Sequence, residues 1–167
     1  KRAEVALASY ERALILKPNY AGAHNHRGNA LQDLKRSEEA LASFDRALVL
    51  NSDYAEAHNS WGSALDDQEK LGDAIAQYNQ ALKIDPKLVS AHNNLGVALA
   101  KQGKPDEAIE EFKEALHIKS DQPNSHYNLG VMLTNKGRIS EARDHFETAL
   151  RLKPNYPDAL QALNKDR

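Results

Sequence analysis

The sequence predicts an all-α chain, a solenoid of stacked helical hairpins, and two observations carry that prediction. First, Gly28, Gly62, Gly96 and Gly130 stand 34 residues apart. The same step carries Ala40, Ala74, Ala108 and Ala142, an aromatic at Phe44, Tyr78, Phe112 and Phe146, and Ala47, Ala81, Ala115 and Ala149. Second, each unit holds two stretches with apolar residues at helical spacing and turn residues between them. A fixed period of this size means a stacked array, in which each unit buries its apolar face against its neighbours.

Taken in order, residues 1–20 hold Ala6, Tyr10, Ala13 and Pro18 in phase with the second helix of a unit whose first helix is missing. Four complete units follow, at 21–54, 55–88, 89–122 and 123–156, covering 136 of the 167 residues. The third shows the pattern most openly. Ser90–Gln102 places Ala91, Leu95, Ala98 and Leu99 on one stripe, and Glu107–Ile118 does the same with Ala108, Phe112, Ala115 and Leu116. Gly103 and Pro105 between them are stop and restart signals, and Pro123 suits the first position of the next helix. Residues 157–167, with Ala159, Leu160 and Leu163, read as a first or capping helix without its second.

The repeated glycines require a cause, because Gly inside a helix costs about 1 kcal/mol against Ala. A side chain there is expected to collide with a facing helix, with Tyr78 and Phe112 filling the groove between small residues. The array is expected to form one extended domain. Because it begins and ends in mid-unit, it reads as a piece of a longer array with apolar surface exposed at both ends. Its two incomplete ends could then complete each other, which makes head-to-tail self-association an expectation.

A 34-residue helix–turn–helix with Leu-Gly, a downstream Ala, an aromatic, a second Ala and a closing Pro resembles the tetratricopeptide repeat. The segment from Asp85-Pro86 through Ala91-His92-Asn93-Asn94-Leu95-Gly96 is similar to that consensus nearly position by position. The resemblance implies a right-handed superhelix whose first helices line a concave face that receives a protein or an extended peptide. Carried over, that face holds Asn25, Asn29 and Asp33, then Asn59, Ser63, Asp66 and Asp67. The third unit adds Asn93, Asn94, Val97 and Lys101, and the fourth Tyr127, Asn128, Val131 and Asn135. Asn offers both a donor and an acceptor, so it can pair with a peptide group without reading its side chain. The row is interrupted, since His26 and Ser60 fill the Asn94 and Asn128 position in the first two units.

Two specialisations of the family are comparable. Chaperone-binding members hold a terminal carboxylate with a Lys/Asn/Arg clamp. The matching sites here read Asn25, Asn29, Ser60, Ser90 and Asn94, one match in five, which argues against that role. The array preceding the catalytic domain of O-linked N-acetylglucosamine transferases is similar at Asn94-Leu95-Gly96 and Asn128-Leu129-Gly130. A substrate-recognising segment of such an enzyme is therefore one alternative to a non-catalytic interaction module, and a scaffold that self-assembles through its incomplete terminal repeats is another.

Composition narrows the classes. A net charge of −2 gives no electrostatic case for nucleic acid or an anionic membrane. No apolar run is long enough to span a bilayer. A soluble protein is expected, cytoplasmic by preference, although the absence of Cys leaves the compartment open. Residues 21–88 carry 7 Lys/Arg and 11 Asp/Glu, whereas 89–156 carry 9 of each. Asp33, Asp66 and Asp67 would thus favour a basic ligand in the first half.

His24, His58, His92 and His126 share one repeat position. A metal needs its nitrogens within about 2.1 Å, while packed helices stand about 8–10 Å apart, so these rings are expected to pack rather than to ligate. Partly buried neutral rings are also expected to lower stability in acid. There is no phosphate loop, His-Glu-x-x-His or Gly-x-Ser-x-Gly pattern. No catalysis, cofactor or metal is expected.

Overall fold

The computed structural model describes residues 1–165, which form ten helices and two compact units, residues 1–86 and the residues from Lys87 on. The first unit holds α1 (Arg2–Leu16), α2 (Ala21–Asp33), α3 (Ser37–Leu50), α4 (Ala55–Asp66) and α5 (Leu71–Ile84). The second holds α6 (Val89–Lys101), α7 (Pro105–Ile118), α8 (Pro123–Asn135), α9 (Ile139–Leu152) and α10 (Pro157–Lys165). In the first unit α2 pairs with α3 and α4 with α5, α1 lies on α2, and α2 touches α4. In the second, α6 pairs with α7 and α8 with α9, α10 lies on α9, and α6 touches α8.

Pairing within each hairpin follows from the small residues. Ala40, Ala74, Ala108 and Ala142 are fully buried, as are Ala47, Ala81, Ala115 and Ala149. Phe44, Tyr78, Phe112 and Phe146 are at most 1% exposed. Each ring lies over the glycine sixteen residues before it. A Cβ at Gly62, Gly96 or Gly130 would stand 2.6 Å from an aromatic Cε1, and one at Gly28 would meet Phe44 closer still. Such a separation is an overlap, so only Gly lets these helices close on the ring. In the first unit the core continues through Leu7, Leu31 and Ala64, with Tyr10, Leu34 and Trp61 packed at its edge. Val5, Ile15 and Leu16 of α1 and Leu160 of α10 remain more than half exposed.

The turn inside each hairpin is also periodic. After α6, Gly103 has φ +80°, Lys104 N–H donates to Leu99 O at 2.9 Å, and Gly103 N–H donates to Ala100 O at 3.0 Å. These two bonds satisfy the carbonyls left over at a helix end and require a left-handed residue between them. Gly137 repeats the geometry at φ +74°. The first unit builds the same turn with Lys35 at φ 59° and Glu69 at φ 60°, where a Cβ is strained. Lys35→Gly and Glu69→Gly are each expected to stabilise by roughly 0.5–1 kcal/mol, the left-handed penalty less the chain entropy of Gly. Urea midpoints check this, and an unchanged midpoint would mean that these turns carry no strain.

Helix starts depart slightly from expectation. α7 begins at Pro105 rather than 107, and α6 at Val89 rather than 90. Proline's preset φ and missing N–H fit the first helical turn, so Pro105 joins the helix instead of preceding it.

Candidate functional site

In the second unit, the first turns of α6 and α8 leave a groove of about 730 Å3 between them. Its walls bring together Asn94, Val97 and Asn128 with Ser90, Gln122, Asn124, Lys119 and Tyr156. A smaller apolar pocket of about 190 Å3 continues from it, sharing Val97 and Asn128 and adding Lys101, Tyr127, Val131 and Met132 over Phe112. Val131 and Asn135 also line a third hollow beside Thr134 and Ala162. Thus the expected residues of the third and fourth repeats gather on one accessible face.

Asn93 borders the groove, but its side chain is committed to the protein. Its Oδ1 accepts from Ser125 Oγ at 2.7 Å, and its Nδ2 donates to Val89 O at 3.2 Å. Asn25, at the same repeat position, departs further from the expected face. It is 3% exposed and lies beside the side chain of Tyr54, the residue before α4. Tyr127, again at that position, packs tilted against Tyr156 with ring centroids 5.1 Å apart. Asn93 and Tyr127 are thus engaged by side chains at or near the start of the next first helix, Ser125 and Tyr156.

The first unit is more closed. Gln32 Nε2 on α2 donates to Asp67 Oδ2 at 2.7 Å and to Ser63 Oγ at 3.2 Å, bridging α2 and α4. Ser63 and Asp67 are therefore engaged within the fold. Asp66 and Asp67 also lie near the Tyr78 phenol, which burial first, and these carboxylates second, push well above the usual range. Asn29 and Asn59 are half-buried, and Asp33 is exposed. What remains open there is a hollow of about 320 Å3 lined by Gln32, Lys35, Ser37, Ala64 and Asp67.

Seven groove residues, Leu88, Val89, Ser90, Lys119, Gln122, Asn124 and Tyr156, were not among the sequence-derived candidates for the binding face. Gln122 and Tyr156 could have been found, because they share one repeat position with Tyr20, Tyr54 and Leu88 at the mouth of each first helix. Lys119 sits in a connecting loop, where periodicity says nothing about orientation.

The four in-phase histidines are tied into the fold. His24 Nε2 meets Pro18 O at 2.8 Å and His58 Nε2 meets Ser52 O at 3.2 Å. His92 Nδ1–H donates to Glu111 Oε2 at 2.7 Å. His126 Nε2–H donates to Ser120 O at 3.0 Å, which leaves its Nδ1 to accept from His145 Nδ1–H at 2.9 Å. Burial first, and the neighbouring His126 second, hold His145 below its ordinary pKa, against the opposing pull of Asp144 and Glu141. A histidine that binds protons less readily folded than unfolded contributes full stability above about pH 6.5, and that contribution is lost as pH falls below it. The thermal midpoint is expected to drop between about pH 7.5 and 5.5, with a smaller drop in His145→Gln. Equal slopes would assign the acid sensitivity elsewhere. Among the described residues no cluster of His, Asp and Glu could hold a metal ion.

No described helix is long and apolar enough to cross a membrane. Models described as tetratricopeptide repeat match residues 21–54 and 87–155, and one described as TPR repeat matches 62–103. No curated protein matches the chain. Among solved structures it is similar to YrrB, described as "a TPR protein with an unusual peptide-binding site". The identity is 26% over 98% of this chain and 84% of that one, with a TM-score of 0.73. It is similar to MamA at 25% identity, covering 91% and 89%, with a TM-score of 0.76. A thermophilic TPR protein of Thermus thermophilus, TTC0263, shares the fold at 22% identity over 99% and 90%, with a TM-score of 0.83. With its 34-residue glycine–aromatic register and matching family models along most of its length, the chain belongs to the tetratricopeptide repeat family and is an all-α array of protein-interaction repeats.

Proposed function

We propose that the chain is a non-catalytic binding module that holds an extended peptide or a partner segment on its first-helix face, chiefly in the groove between α6 and α8. The observation that carries this reading is the groove itself, about 730 Å3 and walled by amide side chains with apolar flanks. Asn94, Gln122, Asn124 and Asn128 offer donors and acceptors that match a peptide backbone, while Val97 and Tyr156 supply contact area. Family membership supports an interaction role, and YrrB lends the precedent of a peptide-binding relative.

Replacing both Asn94 and Asn128 with Ala is expected to weaken peptide binding roughly 10- to 30-fold, two hydrogen bonds at about 1 kcal/mol each. The unfolding free energy should stay within about 0.5 kcal/mol of the parent. Titration calorimetry beside urea unfolding separates the outcomes. Lost binding with intact stability supports the site, whereas unfolding would make these amides structural and remove it.

A further inference from the structure

We propose that Gln122 sets the specificity of the α6–α8 groove, which seats an aromatic side chain of the bound peptide beside Asn93, at a repeat position where Tyr54 and Tyr156 supply the ring themselves. This deepens the peptide-binding reading above and rests on it. The residue before each first helix falls at one repeat position, occupied by Tyr20, Tyr54, Leu88, Gln122 and Tyr156. Two of these tyrosines show what a ring does there. Tyr54 lies beside Asn25, which is 3% exposed, and Tyr156 packs tilted against Tyr127 with Lys153 Nζ 4.5 Å from its ring centroid. Burial is the first cause that pushes both phenols above their ordinary pKa, so both rings are drawn into the protein.

Asn93 shares the repeat position of Asn25 and Tyr127, and the corresponding residue of the next repeat is Gln122 rather than tyrosine. Gln122 Nε2 donates to Asp121 O at 3.4 Å, which draws the amide back towards its own loop. Asn93 is accordingly half-buried where Asn25 is buried, and it lines the groove together with Gln122. Leu88 and Tyr156, the members of the series on either side of Gln122, line the same groove and give a ligand ring apolar contact. An aromatic side chain brings about 150–250 Å2 of surface to such a place and has few torsions to freeze. Ser90, Asn124 and Asn128 on the same walls can pair with a phenol hydroxyl. The ligand's ring thus does for Asn93 what Tyr54 does for Asn25.

The test uses the protein as it stands and three capped, uncharged peptides of glycine, serine and asparagine, followed by fluorescence anisotropy. α6 runs 13 residues, about 20 Å of rise, so peptides of about six extended residues span the face. One carries a central tyrosine, and the others replace it with leucine or alanine. The tyrosine peptide is expected to bind about tenfold tighter than the alanine peptide and about threefold tighter than the leucine peptide. Gln122→Tyr should bring the tyrosine-to-alanine ratio close to one, because the variant's own ring takes the place of the ligand's. Tyrosine already stands at this repeat position three times, so the variant is compatible with the fold, and its urea midpoint should match or exceed the parent's. Gln122→Ala should weaken all three peptides alike and keep the ratio. Equal binding of the tyrosine and alanine peptides, a preference for leucine, an unchanged ratio in Gln122→Tyr or a lost ratio in Gln122→Ala would overturn the proposal while leaving peptide binding standing. Failure of all three peptides to bind the parent would overturn both.

Discussion

Replacing Gly96 with leucine is expected to destabilise the protein by about 3 kcal/mol, and replacing it with alanine by about 1 kcal/mol. Gly→Ala inside a helix gains about 1 kcal/mol of propensity, so an isolated helix would be strengthened. Here the new Cβ would lie 2.6 Å from Phe112 Cε1, and that ring is 1% exposed. Overpacking of this kind costs typically about 1–3 kcal/mol, more as atoms are added, and it outweighs propensity. Gly72 supplies the opposite sign. It sits in the first turn of α5 with nothing within 4 Å of a Cβ, so Gly72→Ala should raise stability by about 0.4–1 kcal/mol. Urea unfolding of the pair decides the matter. If Gly96→Ala matched Gly72→Ala, the ring would be free to move and this account of the repeat would be wrong.

The second large effect lies on the other side of the same contact. Phe112→Ala should cost roughly 3–5 kcal/mol, because it removes a buried ring that fills the space against Gly96 and cannot be replaced by collapse of the surrounding helices. Made in the Gly96→Ala background, the same change should cost about 2 kcal/mol less, since the clash disappears with the ring while the propensity gain of about 1 kcal/mol remains. That coupling is what a double-mutant cycle on touching residues measures. Additive losses would show that Gly96 is needed for some reason other than Phe112.

The glycine–aromatic register was legible in the sequence, because both partners recur at one spacing and a repeated mid-helix Gly has few explanations. The face of the site was legible only in outline. Asn25, Asn93 and Tyr127 share a repeat position expected to face a ligand, but Asn25 is buried, Asn93 is bonded to Ser125 in the first turn of the next first helix, and Tyr127 packs against Tyr156. Asp67 and Ser63 carry suitable chemistry, yet Gln32 on α2 already engages them. His145 drew no attention from periodicity, although its Nδ1 is the ring nitrogen that His126 Nδ1 meets at 2.9 Å.

By itself, the sequence determined the period, the helix pairs, the family and the small-against-large packing within each hairpin, because those depend on residues a fixed distance apart in one chain segment. Tertiary structure alone decided which polar side chains stay open to a ligand, that the left-handed turns at Lys35 and Glu69 are built without glycine, and that Lys119 and Tyr156 complete the groove. The physical reason is that a hairpin's own packing is local, whereas exposure depends on side chains contributed by the neighbouring repeat and its connecting loop.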